Sequence, residues 1–166
     1  DEVSLVNNKL ETVWSQTYDM QNPVADVCGD CAVIADKDGT SMVFLDKNGI
    51  TGTVSTSYSI VKAKVSKTGM AAAILDGGDR TWINFYNLDG SLVAENQTNI
   101  QDPGYPMDVA LADNGVVMMV AYQFVDSSET TSYLAFYNFG EVGQNEDDRI
   151  VSGYTSVSYT HLTLPT

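Results

Sequence analysis

Few residues in this chain are equipped for chemistry. Cys28-Gly29-Asp30-Cys31 has the C-x-x-C spacing of dithiol redox sites. Thioredoxin-type chemistry wants the first cysteine at a helix N-terminus, where the thiolate is stabilised. Here both flanks read as strands, Val24-Ala25-Asp26-Val27 before the pair and Ala32-Val33-Ile34-Ala35 after it. Cys28 and Cys31 therefore face each other across a hairpin turn. A local disulfide is one reading of the pair, and two packed thiols are the other.

Carboxylates gather at Asp36-Lys37-Asp38-Gly39-Thr40 and at Asp76-Gly77-Gly78-Asp79, which invites a calcium reading. An EF-hand-like loop needs a bidentate Glu at its twelfth position, and counting from Asp36 that position is Lys47. Ordinary turn chemistry accounts for these residues, and no metal or other cofactor is expected. The single histidine, His161, lies near the C-terminus, so the usual acid-base and triad mechanisms lack their common participant. Neither Arg80 nor Arg149 belongs to an anion clamp, and Glu146-Asp147-Asp148 reads as a solvated loop. Trp82, Tyr86, Tyr105, Tyr122, Phe124, Tyr133 and Tyr137 offer either a stacking platform for a glycan or peptide, or packing between sheets. Strand alternation puts Trp82, Asn84 and Tyr86 on one face, with Ile83 and Phe85 on the other.

The elements that must position these residues come in repeats. Val24–Val27, Val61–Ser66 and Met107–Ala112 each lead through a tight turn into a second apolar run. Met42–Asp46, Trp82–Asn87 and Tyr133–Asn138 each lead into a Gly-containing turn. Phe44, Phe85 and Phe136 recur at one place in the unit. Four short antiparallel strands in a period of ~40–45 residues describe a β-propeller blade. Hairpin turns are expected at 28–31, 37–40, 47–49, 67–69, 77–79, 88–90 and 113–115. The fourth strands are expected at Ile50–Thr56, Ser91–Gln97 and Asp148–Ser152. A β-sandwich with evenly spaced hairpins is the competing architecture.

The expectation is thus all-β: a partial propeller of about three and a half four-stranded blades over residues 1–155. Residues 1–23 end a preceding blade, and residues 24–59, 60–102 and 103–155 are blades. Since propellers close with about four to eight blades, the chain reads as a fragment of a larger ring. Residues 156–166 fit no position of the repeat and resemble a translated sequencing adaptor, which makes His161 foreign on this reading. The third unit is longer than its siblings, and the excess is placed in an enlarged loop at 125–131. Asp126, Ser127, Ser128, Glu129 and Thr130 are its candidate binding residues.

The chain has 166 residues, 22 Asp and Glu against 8 Lys and Arg, and a net charge of -14. At 43% hydrophobic it can bury a core, which argues against disorder. Nucleic acid is excluded as a partner, because phosphate binding needs clustered Lys and Arg. The longest apolar run, Val116–Tyr122, falls far short of the ~18 residues of a membrane span.

Three stretches carry a family resemblance: Tyr18-Asp19-Met20-Gln21-Asn22-Pro23 with the Cys28-Gly29 hairpin, Gly104-Tyr105-Pro106-Met107-Asp108, and residues 136–146. Together they resemble an uncharacterised Gram-positive bacterial family. Its members have a short cytoplasmic segment, one membrane helix and an extracytoplasmic propeller-like domain. The resemblance implies a membrane-tethered, cell-surface protein with its anchor upstream of Asp1. It brings no activity and no catalytic residue.

On function, the sequence favours a non-enzymatic interaction module binding a protein or an envelope polymer. The alternative is a propeller enzyme (hydrolase, lyase or quinone-dependent) whose active site lies in blades outside this chain. Ligands are expected to be neutral, basic or bridged by divalent cations, given the acidic charge.

Overall fold

Short runs rich in Val, Ala and Ile, each closed by a turn carrying Gly, Asn or Asp, give one strand apiece. The computed structural model describes residues 1–99, 103–126 and 129–158. Strands β1 (Glu2–Val6) and β2 (Thr12–Thr17) form a two-stranded sheet. The first full blade comprises β3 (Pro23–Cys28), β4 (Cys31–Asp36), β5 (Ser41–Asp46) and β6 (Gly49–Ser55). The second comprises β7 (Ser59–Val65), β8 (Ala71–Asp76), β9 (Arg80–Tyr86) and β10 (Leu92–Asn99). The third comprises β11 (Tyr105–Leu111), β12 (Val117–Asp126), β13 (Glu129–Asn138) and β14 (Ile150–Ser158). Each is a four-stranded antiparallel meander with its strands in sequence order. The expected hairpin turns fall between these strands.

Two expectations need correction. The open loop expected at 125–131 is strand at Val125 and Asp126 and again at residues 129–131. Strand β12 runs to Asp126 and β13 starts at Glu129, pairing Phe124 with Thr131, Val125 with Thr130 and Asp126 with Glu129. Aromatic and β-branched residues facing each other favour this ladder over the loop suggested by polar composition. Ser127 and Ser128 lie outside the described residues. The fourth strand of this blade is Ile150–Ser158 rather than Asp148–Ser152, so it runs past the boundary set at 155. The lengthened β13 supplies its partners, Ser132 for Ser156, Thr131 for Val157 and Thr130 for Ser158. His161 and the rest of 159–166 are outside the described residues.

Side-chain alternation makes each blade two-faced. On β8, Ala71, Ala73 and Leu75 join Val33, Met42 and Phe44 of the first blade in one core. Ala72 and Ile74 turn the other way, and with Ile83 and Phe85 they meet Val109, Met118, Val120 and Tyr122 of the third. A third core joins Val3, Trp14 and Tyr18 to Ile34, Val43 and Leu45. Trp82 and Tyr86 lie in the first of these cores and Ile83 and Phe85 in the second, as alternation requires. The opening strands of the second and third blades pack on the blade before, β7 on β3 and β4, and β11 on β7 and β8.

Polar contacts fasten the same blades at both ends. On the opening strands, Asp26 accepts from Lys64 Nζ at 2.6 Å and from the Val65 amide at 2.9 Å. Lys62 Nζ lies 2.7 Å from Asp108 Oδ1. At the closing strands, Trp14 Nε1 donates to the Lys47 carbonyl at 2.8 Å and Thr51 Oγ1 to the Leu88 carbonyl at 2.7 Å. Asn96 Nδ2 donates to the Asp148 carbonyl at 3.4 Å, the longest of the three.

Candidate functional site

These closing-strand contacts explain where a site opens. Between the first two blades, tight turns let a closing strand reach its neighbour, and an added Cβ on Gly52 would overlap the Asp89 carbonyl. In the third blade the connection from β13 to β14 is longer, running through two 3-10 turns at Glu141–Asn145 and Asp147–Arg149. Asp148 of this segment lies between the outer edges of the second and third blades, where its carbonyl accepts from Asn96 of β10. A cleft of about 610 Å³ lies between these edges.

Its walls come from β10 (Asn96, Gln97), the far ends of β12 and β13 (Phe124, Thr131, Tyr133) and β14 (Thr155), with Asp148 at the connection. Gly153 has no Cβ because the Tyr133 phenol occupies that space. The Tyr133 ring tilts against buried Tyr122 at 6.1 Å, which anchors it from behind. With its amide assigned so that oxygen faces Arg80, Gln97 accepts from Arg80 Nη1 at 2.7 Å. Asp148 and Arg149 both adopt left-handed backbone, φ 54° and 61°. Arg149 is held over the Phe139 ring at 5.7 Å, and Phe139 stacks on Phe85 at 3.8 Å. Arg149 is thereby a structural cation.

The residues singled out by sequence are distributed as follows. Asp126 and Thr130 lie on the extended hairpin of β12 and β13, next to the cleft walls Phe124 and Thr131. Glu129 pairs with Asp126 there. Cys28 and Cys31 are opposed across their turn and are free thiols, with Cys31 Sγ donating to the Lys67 carbonyl at 3.7 Å. Burial pushes the Cys31 thiol up, with the nearby Asp46 and Asp30 carboxylates adding to the effect. Asp36 accepts from the Asn22 amide at 2.7 Å, and Asp76 accepts from the Tyr105 hydroxyl at 3.0 Å. Among the described residues no group of three or more His, Cys, Asp and Glu side chains is placed to hold a metal. Of the aromatic candidates, Tyr86, Tyr122 and Tyr137 are buried in the cores, and Trp82 stacks on Tyr58 at 3.8 Å.

Sequence reading missed the cleft residues Asn96, Thr131 and Thr155. The available signal was the position of the extra length. The excess of the third unit lies partly in the β13–β14 connection, not only in the hairpin.

Four-stranded antiparallel sheets, each laid face-on against the next by its opening strand, define a propeller-type repeat protein. The chain belongs to DUF5711, a family of unknown function, whose model matches residues 1–165. Among solved structures it is similar to Kuenenia stuttgartiensis hydrazine synthase, with a TM-score of 0.61 at 14% identity over 94% of this chain and 43% of that one. The WD40 domain of Toxoplasma gondii coronin matches with a TM-score of 0.39 at 13% identity, covering 89% of this chain and 49% of that one. The chain therefore spans less than half the length of each of these two structures. No curated protein matches. No helix among the described residues is long and apolar enough to cross a membrane.

Proposed function

We propose that this chain is a non-enzymatic interaction module displayed on an extracytoplasmic face, where it holds an envelope polymer or protein. The observation that carries this reading is the β12–β13 hairpin. Its ten-residue strands outreach the six- and seven-residue strands at the same places in the other blades. It stands beside a cleft of about 610 Å³, within the roughly 300–1,000 Å³ of ligand pockets. The charged groups on the opening strands support the same reading. Lys62 with Asp108 and Lys64 with Asp26 join blades to each other. The acidic surface favours neutral or basic partners.

The test is capture from Gram-positive envelope extracts by the chain and by a shortened-hairpin variant. Replacing residues 125–130 with Asn-Gly joins Phe124 to Thr131, which are already cross-strand partners. Capture that is lost with the shortened hairpin supports the module. Equal capture by both leaves the hairpin without a binding role and sinks the reading.

A further inference from the structure

The cleft has a chemical character of its own. Phe124 and Tyr133 are half-buried in its wall, which buried Tyr137 also lines, whereas Tyr86 and Tyr122 are buried in the cores. Around Phe124 and Tyr133 stand the side-chain amides of Asn96 and Gln97 and the hydroxyls of Thr131 and Thr155. Asp148 is the charged residue of the lining.

We propose that this cleft binds a neutral oligosaccharide, with the C–H face of a sugar ring on Phe124 or Tyr133 and its hydroxyls on the amides and threonines. The inference rests on the interaction-module reading and names its ligand class. Amide and hydroxyl side chains each donate and accept, and sugar hydroxyls do the same. A half-buried aromatic wall with a few convergent polar groups is the usual composition of a small-molecule site. An anionic polymer would meet the Asp148 carboxylate and a chain of net charge -14. Among the described residues the lining supplies no Lys or Arg to balance that charge. Tyr133 is pre-positioned by Tyr122 behind it and by Gly153 beneath it, so the ring is ordered before any ligand arrives.

Calorimetric titration of the 166-residue chain with cellohexaose, maltohexaose and chitohexaose tests this, with hyaluronan as the anionic comparison. The expected result is saturable binding of at least one neutral hexamer and weaker or no binding of hyaluronan. Thr155→Trp places a large ring at an exposed position of β14 and should block the cleft without disturbing a core. It should weaken binding about tenfold or more with unchanged melting temperature, and Asn96→Ala should weaken binding by a similar factor while also losing the tie to the Asp148 carbonyl. The shortened-hairpin variant, which keeps Phe124 and Thr131 but loses the hairpin beside the cleft, should bind sugar more weakly, in step with its loss of capture from extracts. Failure of all three neutral hexamers, preference for hyaluronan, or binding indifferent to both Thr155→Trp and Asn96→Ala overturns the proposal. If the sugars fail while hairpin-dependent capture from extracts persists, the module reading stands and the oligosaccharide does not.

Discussion

The Thr51 hydroxyl donates to the Leu88 carbonyl at 2.7 Å, tying the closing strand of one blade to a turn of the next. Trp14 and Lys47 make the same kind of tie one blade earlier, and Asn96 and Asp148 make it one blade later. Three different donor side chains serve one geometric purpose, so identity comparison across repeats would not align them.

Because Gly52 lies beside Thr51 against the Asp89 carbonyl, Gly52→Ala should force the first two blades apart at their outer edge. Overpacking of this kind costs about 1–3 kcal/mol. Chemical denaturation should show a lowered midpoint with an unchanged slope. A variant as stable as the parent would mean that the blades do not press together here.

Leu10 has φ 62° and is 84% exposed. Its turn has the same two backbone hydrogen bonds, Asn7 to Glu11 and Leu10 to Asn7, as Asn87 to Ser91 and Gly90 to Asn87. Leu10 thus sits where the later repeat has Gly90, at φ 84°. Left-handed backbone costs a non-glycine residue about 1–2 kcal/mol, against roughly 0.5–1 kcal/mol for the entropy of glycine. Leu10→Gly should therefore stabilise the chain, by up to about 1 kcal/mol. Thermal melts that fall with this substitution would refute the turn geometry.

Phe44 and Phe85 are fully buried between blades, whereas the equivalent Phe136 is half-buried and meets Tyr154 edge-on at 6.1 Å. Phe44→Ala and Phe85→Ala should each cost about 3–5 kcal/mol. Phe136→Ala should cost less, since part of its ring already meets water. Equal losses at all three positions would show that the third face is covered in solution.

Alkaline pH should unfold the chain through its phenols. Burial, with the adjacent Asp76 carboxylate, pushes Tyr105 from 10.0 up to about 12. Burial also raises Tyr86, Tyr122 and Tyr137. A raised folded-state value means stability that is intact below pH 10 and is lost as pH climbs through about 12 for Tyr105. The share of tyrosinate absorbance contributed by these four phenols should rise together with loss of the β-sheet dichroism rather than ahead of it. Ionisation of all nine tyrosines in a still-folded chain would contradict the burial.

Strand positions, turn positions and the two-faced packing were legible because period-2 alternation and Gly-bearing turns are local signals. Trp82, Ile83, Asn84 and Phe85 follow that alternation residue by residue. The reading of 125–131 failed because Ser, Glu and Asp dominate its composition, whereas Phe124, Val125, Thr130 and Thr131 decide its pairing. The cleft was not legible for a different reason. Asn96 and Thr155 are far apart in sequence, and only the width of the gap between two blades makes them neighbours.

Strand β8 has a further consequence. Ala71 to Leu75 are buried on both faces, and the strand is hydrogen-bonded to β7 and β9 along both edges. Its amide hydrogens therefore have no local route to solvent and should exchange only through global unfolding. Strands β1, β2 and β14 lie at the margins of the assembly and can open without it. Protection should fall away from the middle blade in both directions, so the chain breathes from its ends while its centre keeps time with the whole.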